Sequence, residues 1–365
     1  MTPIETIRRR FTSAAFSFRQ SISKSGTAGF PSAGARGPCH FQARLQFRPC
    51  RQIVTLSFPP RMPASVMASG PAPGVNRIAS PEIFWVGLEI CPLVIRAGVY
   101  DSALRCQGKI KLSAKLERGP GAVIGRITRC VQYAADECDL DMEHIRGIGL
   151  AIPGEVEKSS GRIISSTALG WSDVSIVEEL EAALRAPVTA ANNHQLAALG
   201  ILALEVPEPP RTFAALFPGP CIGGALIASE DGMEFSPTPS RANAENIFHV
   251  MPGEEFRHYR GKDFKRALRK GDKAVEEYIR AVAMRTGEIA RRLIDTHHPE
   301  VLAIGGGAME EMRDELMGLI QRTAEADGGR SPVRWLASQL GDHAPLAGGA
   351  ALAARSFGVA QLATR

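Results

Sequence analysis

Two stretches of this 365-residue chain open in the same way, and that duplication limits the fold more than any other feature. Residues 83–89 and 94–101 are runs rich in β-branched side chains separated by 90–93, and 109–114 extends them into a three-strand meander. Apolar residues at helical spacing follow over 121–138 (Val123, Ile124, Ile127, Val131, Ala134). A buried-type strand over 145–152 then stops at Pro153-Gly154, and an amphipathic helix over 175–185, a short strand at 188–190 and a helix over 193–204 complete the unit. The second stretch restarts with strands at 212–217 and 222–228 around the turn Pro218-Gly219-Pro220-Cys221. It continues with helices at 262–270 and 274–296, strand 301–304, the turn Gly305-Gly306-Gly307, helix 309–326, strand 333–337 and an Ala-rich helix from about 346. An antiparallel pair followed by alternating strands and helices, written twice, predicts an α/β protein of two lobes, 82–192 and 193–345, with a cleft between them.

Charge sets the first eighty residues apart. They carry ten Arg and one Lys against the single acid Glu5, leaving 32 basic and 37 acidic side chains for the remainder. From Thr6 to Pro81 there is no Asp or Glu, while Arg, Ser, Gly and Pro recur, a composition with too little apolar surface to offset the entropy of ordering. Residues 1–81 therefore read as a disordered basic leader. Three roles stay open for it: an organellar transit segment, an arm that attracts nucleic-acid phosphate, or an extension ahead of a true start at Met62 or Met67. No two-helix DNA-reading pattern is legible there, so a nucleic-acid partner is not expected. Apolar runs such as 213–217 and 301–304 fall far short of the ~20 residues that cross a bilayer, so no membrane partner is expected either. Seven Cys, odd in number and without a C-x-x-C pair, argue against a disulfide framework and for a reducing, cytoplasmic setting.

Several motifs in 82–365 stand in a telling order. They are Ile145-Arg-Gly-Ile-Gly-Leu-Ala-Ile-Pro-Gly154, Gly161-Arg-Ile-Ile164, Leu169-Gly170-Trp171, Pro187-Val-Thr-Ala-Ala-Asn192-Asn193-His-Gln-Leu-Ala-Ala198, 219–225, 243–249, 304–307 and Leu346-Ala-Gly-Gly-Ala-Ala-Leu-Ala353. Together they resemble the repressor/open-reading-frame/kinase (ROK) family of bacterial sugar kinases and sugar-responsive regulators. The resemblance implies the two-lobed actin-like ATPase fold, with the terminal helix 346–365 packing back on the first lobe. It also implies a homodimer, nucleotide on two Gly-rich hairpins, hexose in the cleft, and Mg-ATP as the phosphoryl donor of the matching kinases. Such a transfer depends on positioning and charge stabilisation.

Measured against that resemblance, the chemistry is thinned. The family's first phosphate hairpin, D-x-G-G-T-K, is matched by Glu89-Ile90-Cys91-Pro92-Leu93-Val94. Pro92 offers no N–H and Leu93 and Val94 add bulk, so the hairpin is expected to hold triphosphate poorly. Glu89 is either a displaced magnesium ligand or an ordinary structural carboxylate. The catalytic E-N-D-A-N is matched by Ala191-Asn192-Asn193-His194-Gln195, which places Asn193 where the general base belongs. A carboxamide cannot take up a proton near neutral pH, a loss of about 10²–10⁴ in rate, so Asn193 is expected to be non-functional as a base. His194 is titratable and a conceivable stand-in. Asn192 is either a sugar ligand or a helix cap, and Gly154 sits with the substrate group.

On the nucleotide side, Gly219, Gly223 and Gly224 survive in the second phosphate turn while Pro220 replaces a hydroxyl. Gly305, Gly306 and Gly307 resemble the adenosine-side turn, where a helix N-terminus can receive an anion. On the sugar side, Asn246 stands where the family has a carboxylate, and His249 is retained. The family's zinc cysteines are missing after His249, so no zinc is expected. The expectation is a sugar-kinase-like protein with impaired catalysis, no certain cofactor and residual binding of a carbohydrate or nucleotide. Two alternatives stand beside it: an active hexose or amino-sugar kinase using Mg-ATP, and a sugar-responsive transcriptional regulator.

Overall fold

The computed structural model describes residues 83–219, 222–228, 234–237, 261–326 and 332–358. In chain order the first half contains strands β1 (Phe84–Ile90), β2 (Val94–Tyr100) and β3 (Cys106–Ser113), helix α1 (Pro120–Asp136) and strand β4 (Ile145–Ile152). Three short strands follow, β5 (Glu155–Val156), β6 (Ile163–Ser166) and β7 (Trp171–Val174), then helix α2 (Ile176–Leu184), strand β8 (Val188–Asn192) and helix α3 (Asn193–Glu205). The second half contains β9 (Thr212–Phe217), β10 (Gly223–Ala228), β11 (Glu234–Pro237), α4 (Gly261–Arg269), α5 (Lys273–His297), β12 (Val301–Ile304), α6 (Gly307–Ala324), β13 (Arg334–Ala337) and α7 (Ala344–Gly358).

The duplication read from the sequence is a duplication in space. One five-stranded sheet has the order β3-β2-β1-β4-β8 and the other β11-β10-β9-β12-β13. In each, an antiparallel meander supplies three strands, and the first of them pairs in parallel with a fourth strand, which pairs in parallel with the fifth. Every residue of β1 is buried, as expected of a central strand covered on both faces, whereas the edge strand β3 is exposed or half-buried throughout. Val123, Ile124, Ile127 and Val131 of α1 and Leu180 of α2 close one core over the first sheet, while α5 and α6 close the other over β9 and β12.

Helix α7 joins the halves by backbone contact. A Cβ on Gly87 of β1 would collide with the Leu346 carbonyl, and one on Gly149 of β4 with the Gly349 carbonyl. On the opposite side of the helix, a Cβ on Gly348 would meet the Leu196 carbonyl of α3, and one on Gly200 the Ala344 carbonyl. Helix α3 in turn packs on β9 and β10 of the second sheet.

Two features differ from the sequence reading. The three-stranded sheet β5-β6-β7 and the third strand of the second meander, β11, were not expected, because runs of two to four residues carry too little periodicity to register. Strand β3 begins at Cys106 rather than 109, since a register shift at Val99/Tyr100 lets the pairing continue.

Candidate functional site

The turn between β1 and β2 is closed by its own backbone. The Cys91 N–H donates to the Val94 carbonyl at 2.8 Å, and the Leu93 carbonyl accepts from Ala114 N–H at 3.0 Å. With Pro92 lacking an N–H, two of the four turn residues have no amide to offer a phosphate oxygen. The Leu93 side chain stands 72% exposed, an apolar group where the resemblance calls for a small polar one. Burial pushes the Cys91 thiol well up, so it stays protonated and is no nucleophile.

One residue ahead of Ile90, Glu89 is 4% exposed and lies directly across the hairpin from Arg96. Arg96 Nη1 donates to Glu89 Oε2 at 2.6 Å, and Arg96 Nη2 donates to Asp342 Oδ2 at 2.7 Å. Asp342 belongs to the 3₁₀ turn Gly341–His343 that leads into α7. Burial raises the Glu89 carboxyl above its ordinary value, and the guanidinium beside it pulls the other way. A magnesium ion needs hard, charged oxygens with open lone pairs. The Glu89 carboxylate is desolvated and already neutralised by Arg96, so the residues here do not fit Mg²⁺.

The same turn meets the N-terminus of α6. Gly306, at φ 89°, caps that helix, and a Cβ on Gly307 would come within 2.8 Å of Asp342 Oδ1. The helix end read from the sequence as an anion seat thus faces a carboxylate of the protein itself. Gly305 packs on Ile201 and Phe217, and a side chain there would press into both. Beyond Asp342, Lys109 Nζ lies 3.0 Å from His343 Nε2. Burial, followed by the Lys109 charge, lowers the pKa of the imidazole, so the neutral ring accepts a hydrogen bond from the ammonium.

At the head of α3, Asn192 is taken up by structure. Its Oδ1 accepts from His194 N–H at 2.9 Å, its backbone N–H donates to Gln195 Oε1 at 3.3 Å, and its Nδ2 donates to the Gly154 carbonyl at 2.8 Å. Gly154 is itself required by contact, since a Cβ would strike the Ser165 carbonyl. Asn193 differs: its Oδ1 is buried with no hydrogen-bond partner among the described residues. His194 turns away from the base role. Its ring stacks on Phe217 with centroids 5.5 Å apart and packs against Gly223, and burial drives its pKa down to about 4. Gly223 therefore leaves room for an imidazole, and Gly224 is a buried member of β10 opposite Leu216.

A cavity of about 980 Å³ opens beside the turn, bounded by Cys91, Pro92, Leu93, Arg96, Lys109 and Lys111 from the first sheet. Gly219, Lys262, Gly307, Glu310 and Glu311 come from the second half of the chain, with Asp342 and His343 between. Of the candidate site residues read from the sequence, Gly219 and Gly307 line it with the hairpin residues 91–94, whereas Glu89, Gly154, Asn192, Asn193, Gly223, Gly224, Gly305 and Gly306 do not. Asn246 and His249 lie outside the described residues.

The sequence pattern of the ROK family matches residues 94–230 and 240–356. The chain belongs to the ROK family. A curated relative, the glucokinase of Halalkalibacterium halodurans, is 22% identical over 146 residues, a match covering 40% of this chain; the chain spans 44% of that relative's length. Among solved structures, a ROK family glucokinase from Streptomyces griseus in complex with glucose and AMPPNP superposes with a TM-score of 0.61. It is 20% identical and covers 74% of this chain and 99% of its own. The ROK hexokinase of Thermus thermophilus superposes with a TM-score of 0.55 at 22% identity, covering 76% of this chain and all of its own. The two-lobed actin-like ATPase fold and the sugar-kinase-like character are those of this ROK chain. No helix among its described residues is long and apolar enough to cross a membrane.

Sequence reasoning missed Arg96, Lys109 and Asp342. A signal existed for the first: residues 90–95 form a tight hairpin, so an acid and a base seven apart around it must face each other on one side. Nothing local ties Asp342 to them, because it lies 246 residues away.

Proposed function

We propose that this ROK-family chain is a sugar-kinase-like protein that transfers no phosphate and binds a carbohydrate instead. The observation that carries the reading is Asn193. The family resemblance puts its carboxamide where the general base belongs, and its buried Oδ1 is an acceptor without a donor among the described residues. An acceptor left unmade in a protein interior costs about 1–3 kcal/mol, which the hydroxyl of a sugar seated at the head of α3, apart from the cavity beside the β1–β2 turn, would recover. The same carboxamide cannot remove that hydroxyl's proton. Further support comes from the hairpin turn, whose Pro92 and internally bonded Cys91 amide suit it poorly to a triphosphate.

Thermal unfolding of the full chain, titrated with a panel of hexoses and hexosamines, tests binding. A ligand at 100 times its dissociation constant adds about 2.7 kcal/mol. The expected result is a rise in Tm with at least one sugar, lost in Asn193→Ala. No shift with any sugar of the panel would contradict the reading.

A further inference from the structure

The three-membered network at the head of the cavity has the charge arrangement of a metal site with a guanidinium at its centre. Two carboxylates, Glu89 and Asp342, come from segments far apart in the chain and converge on one cation. The cation is a side chain: Arg96 reaches one oxygen of each with a different terminal nitrogen, at 2.6 and 2.7 Å, and its own side chain is only 17% exposed. We propose that Arg96 is a resident cation that stands in for a divalent metal between Glu89 and Asp342, so that the protein takes no Mg²⁺ or Mn²⁺ at this end of its cleft.

Three observations lead there. First, the Glu89 carboxylate is 5% exposed at its side chain, so a charge there must be balanced on the spot, and Arg96 is the balance. Second, a guanidinium is planar, permanently charged and presents two parallel N–H groups, which lets one residue bridge two carboxylates as a small point charge on a flexible stem would not. Third, further positive charge surrounds the position. Lys111 lies directly across from Arg96 on the β2–β3 ladder, and Lys109 faces Gly98 two pairs further on. A metal ion approaching Glu89 would have to displace one cation against the field of two others.

The arrangement also ties structure to ion chemistry. Arg96 links the first sheet to the turn before α7, and Asp342 lies against Gly307 at the start of α6, so three segments meet on one charge. In a metal-dependent protein such a junction forms when the ion arrives. Here it is formed by the chain alone, which predicts a cleft whose order is indifferent to chelators.

The inference concerns the ligand-free protein and stands independently of which sugar binds or whether phosphate is transferred. The test is Mn²⁺ binding followed by electron paramagnetic resonance on the full chain. The wild-type protein is expected to leave Mn²⁺ free at millimolar metal, with a Tm unchanged by Mg²⁺ or EDTA. Arg96→Met frees both carboxylates and is expected to gain one bound Mn²⁺ per chain, lost again when Glu89→Gln is added. Wild-type protein that binds one Mn²⁺, with the binding lost in Glu89→Gln, overturns the proposal. So does a folded Arg96→Met that binds none. Should Arg96→Met not fold, the wild-type measurement decides alone, with Asp342→Asn as the second variant: it removes the exposed carboxylate and is expected to bind no metal.

Discussion

Glycine is treated in opposite ways in two parts of this molecule. Where α7 crosses the first sheet and α3, Gly87, Gly149, Gly200 and Gly348 sit where a Cβ would strike a carbonyl oxygen. In the β1–β2 turn, where the resemblance calls for two glycines facing phosphate, the chain has Cys91 and Pro92. The first set is demanded by the protein's own backbone and the second only by a ligand. The difference teaches which constraint this chain still satisfies: the fold requires close approach at the joint, and nothing in the fold requires an open amide cradle at the turn.

Substitutions should divide along that line. Gly149→Ala drives a methyl group into the Gly349 carbonyl and is expected to cost about 3 kcal/mol or more in urea unfolding. Leu93→Ala in the exposed turn should stay within about 0.5 kcal/mol of wild type. A tolerated Gly149→Ala would break the comparison outright.

The next effect is pH-dependent. His194 is neutral and buried with a folded pKa of about 4, below the ordinary imidazole value of about 6.5. Between those values the unfolded chain binds a proton that the folded chain does not. Stability should therefore be complete above about pH 6.5 and fall toward pH 4 by up to roughly 3 kcal/mol. Denaturation midpoints across this range measure it, and His194→Gln should flatten that part of the profile.

Arg96→Met should cost about 2 kcal/mol, because it strands the buried Glu89 carboxylate, tempered by protonation of that group. Asp342→Asn, with a side chain 56% exposed, should cost less than about 1 kcal/mol. The two unfolding curves sharpen the contrast between the buried and exposed arms of one network. The smallest expected effect is that of Asn193→Asp. It puts a carboxylate where the family resemblance places the base yet leaves the turn and Arg96 in place, so sugar-dependent ADP release should stay at background. Turnover in that variant alone would move the proposed catalytic defect from the hairpin to a single side chain.

Much of the fold was legible in the sequence because its elements are long and periodic. The apolar spacing of Val123, Ile127 and Val131 and the buried run from Ile145 to Ile152 each report a local pattern that burial confirms. The site was legible to a smaller depth. That Asn192 caps α3 was one of two readings, and the capping box with Gln195 decides that the cap is present. The destination of His194 was not readable, because it depends on Phe217, which belongs to strand β9. The Arg96 bridge needed Asp342 as well as Glu89, and only the folded chain brings a residue of the last turn against the first hairpin. Local chemistry was visible; long-range charge pairing was not.

The central claim, that this ROK-family chain is sugar-kinase-like without phosphoryl transfer, meets its most direct test in hexose-dependent ADP release. The assay uses the full-length wild-type protein with saturating Mg-ATP and a hexose panel. The account predicts release indistinguishable from the sugar-free control. Release that depends on one hexose and vanishes in Asn193→Ala would contradict it.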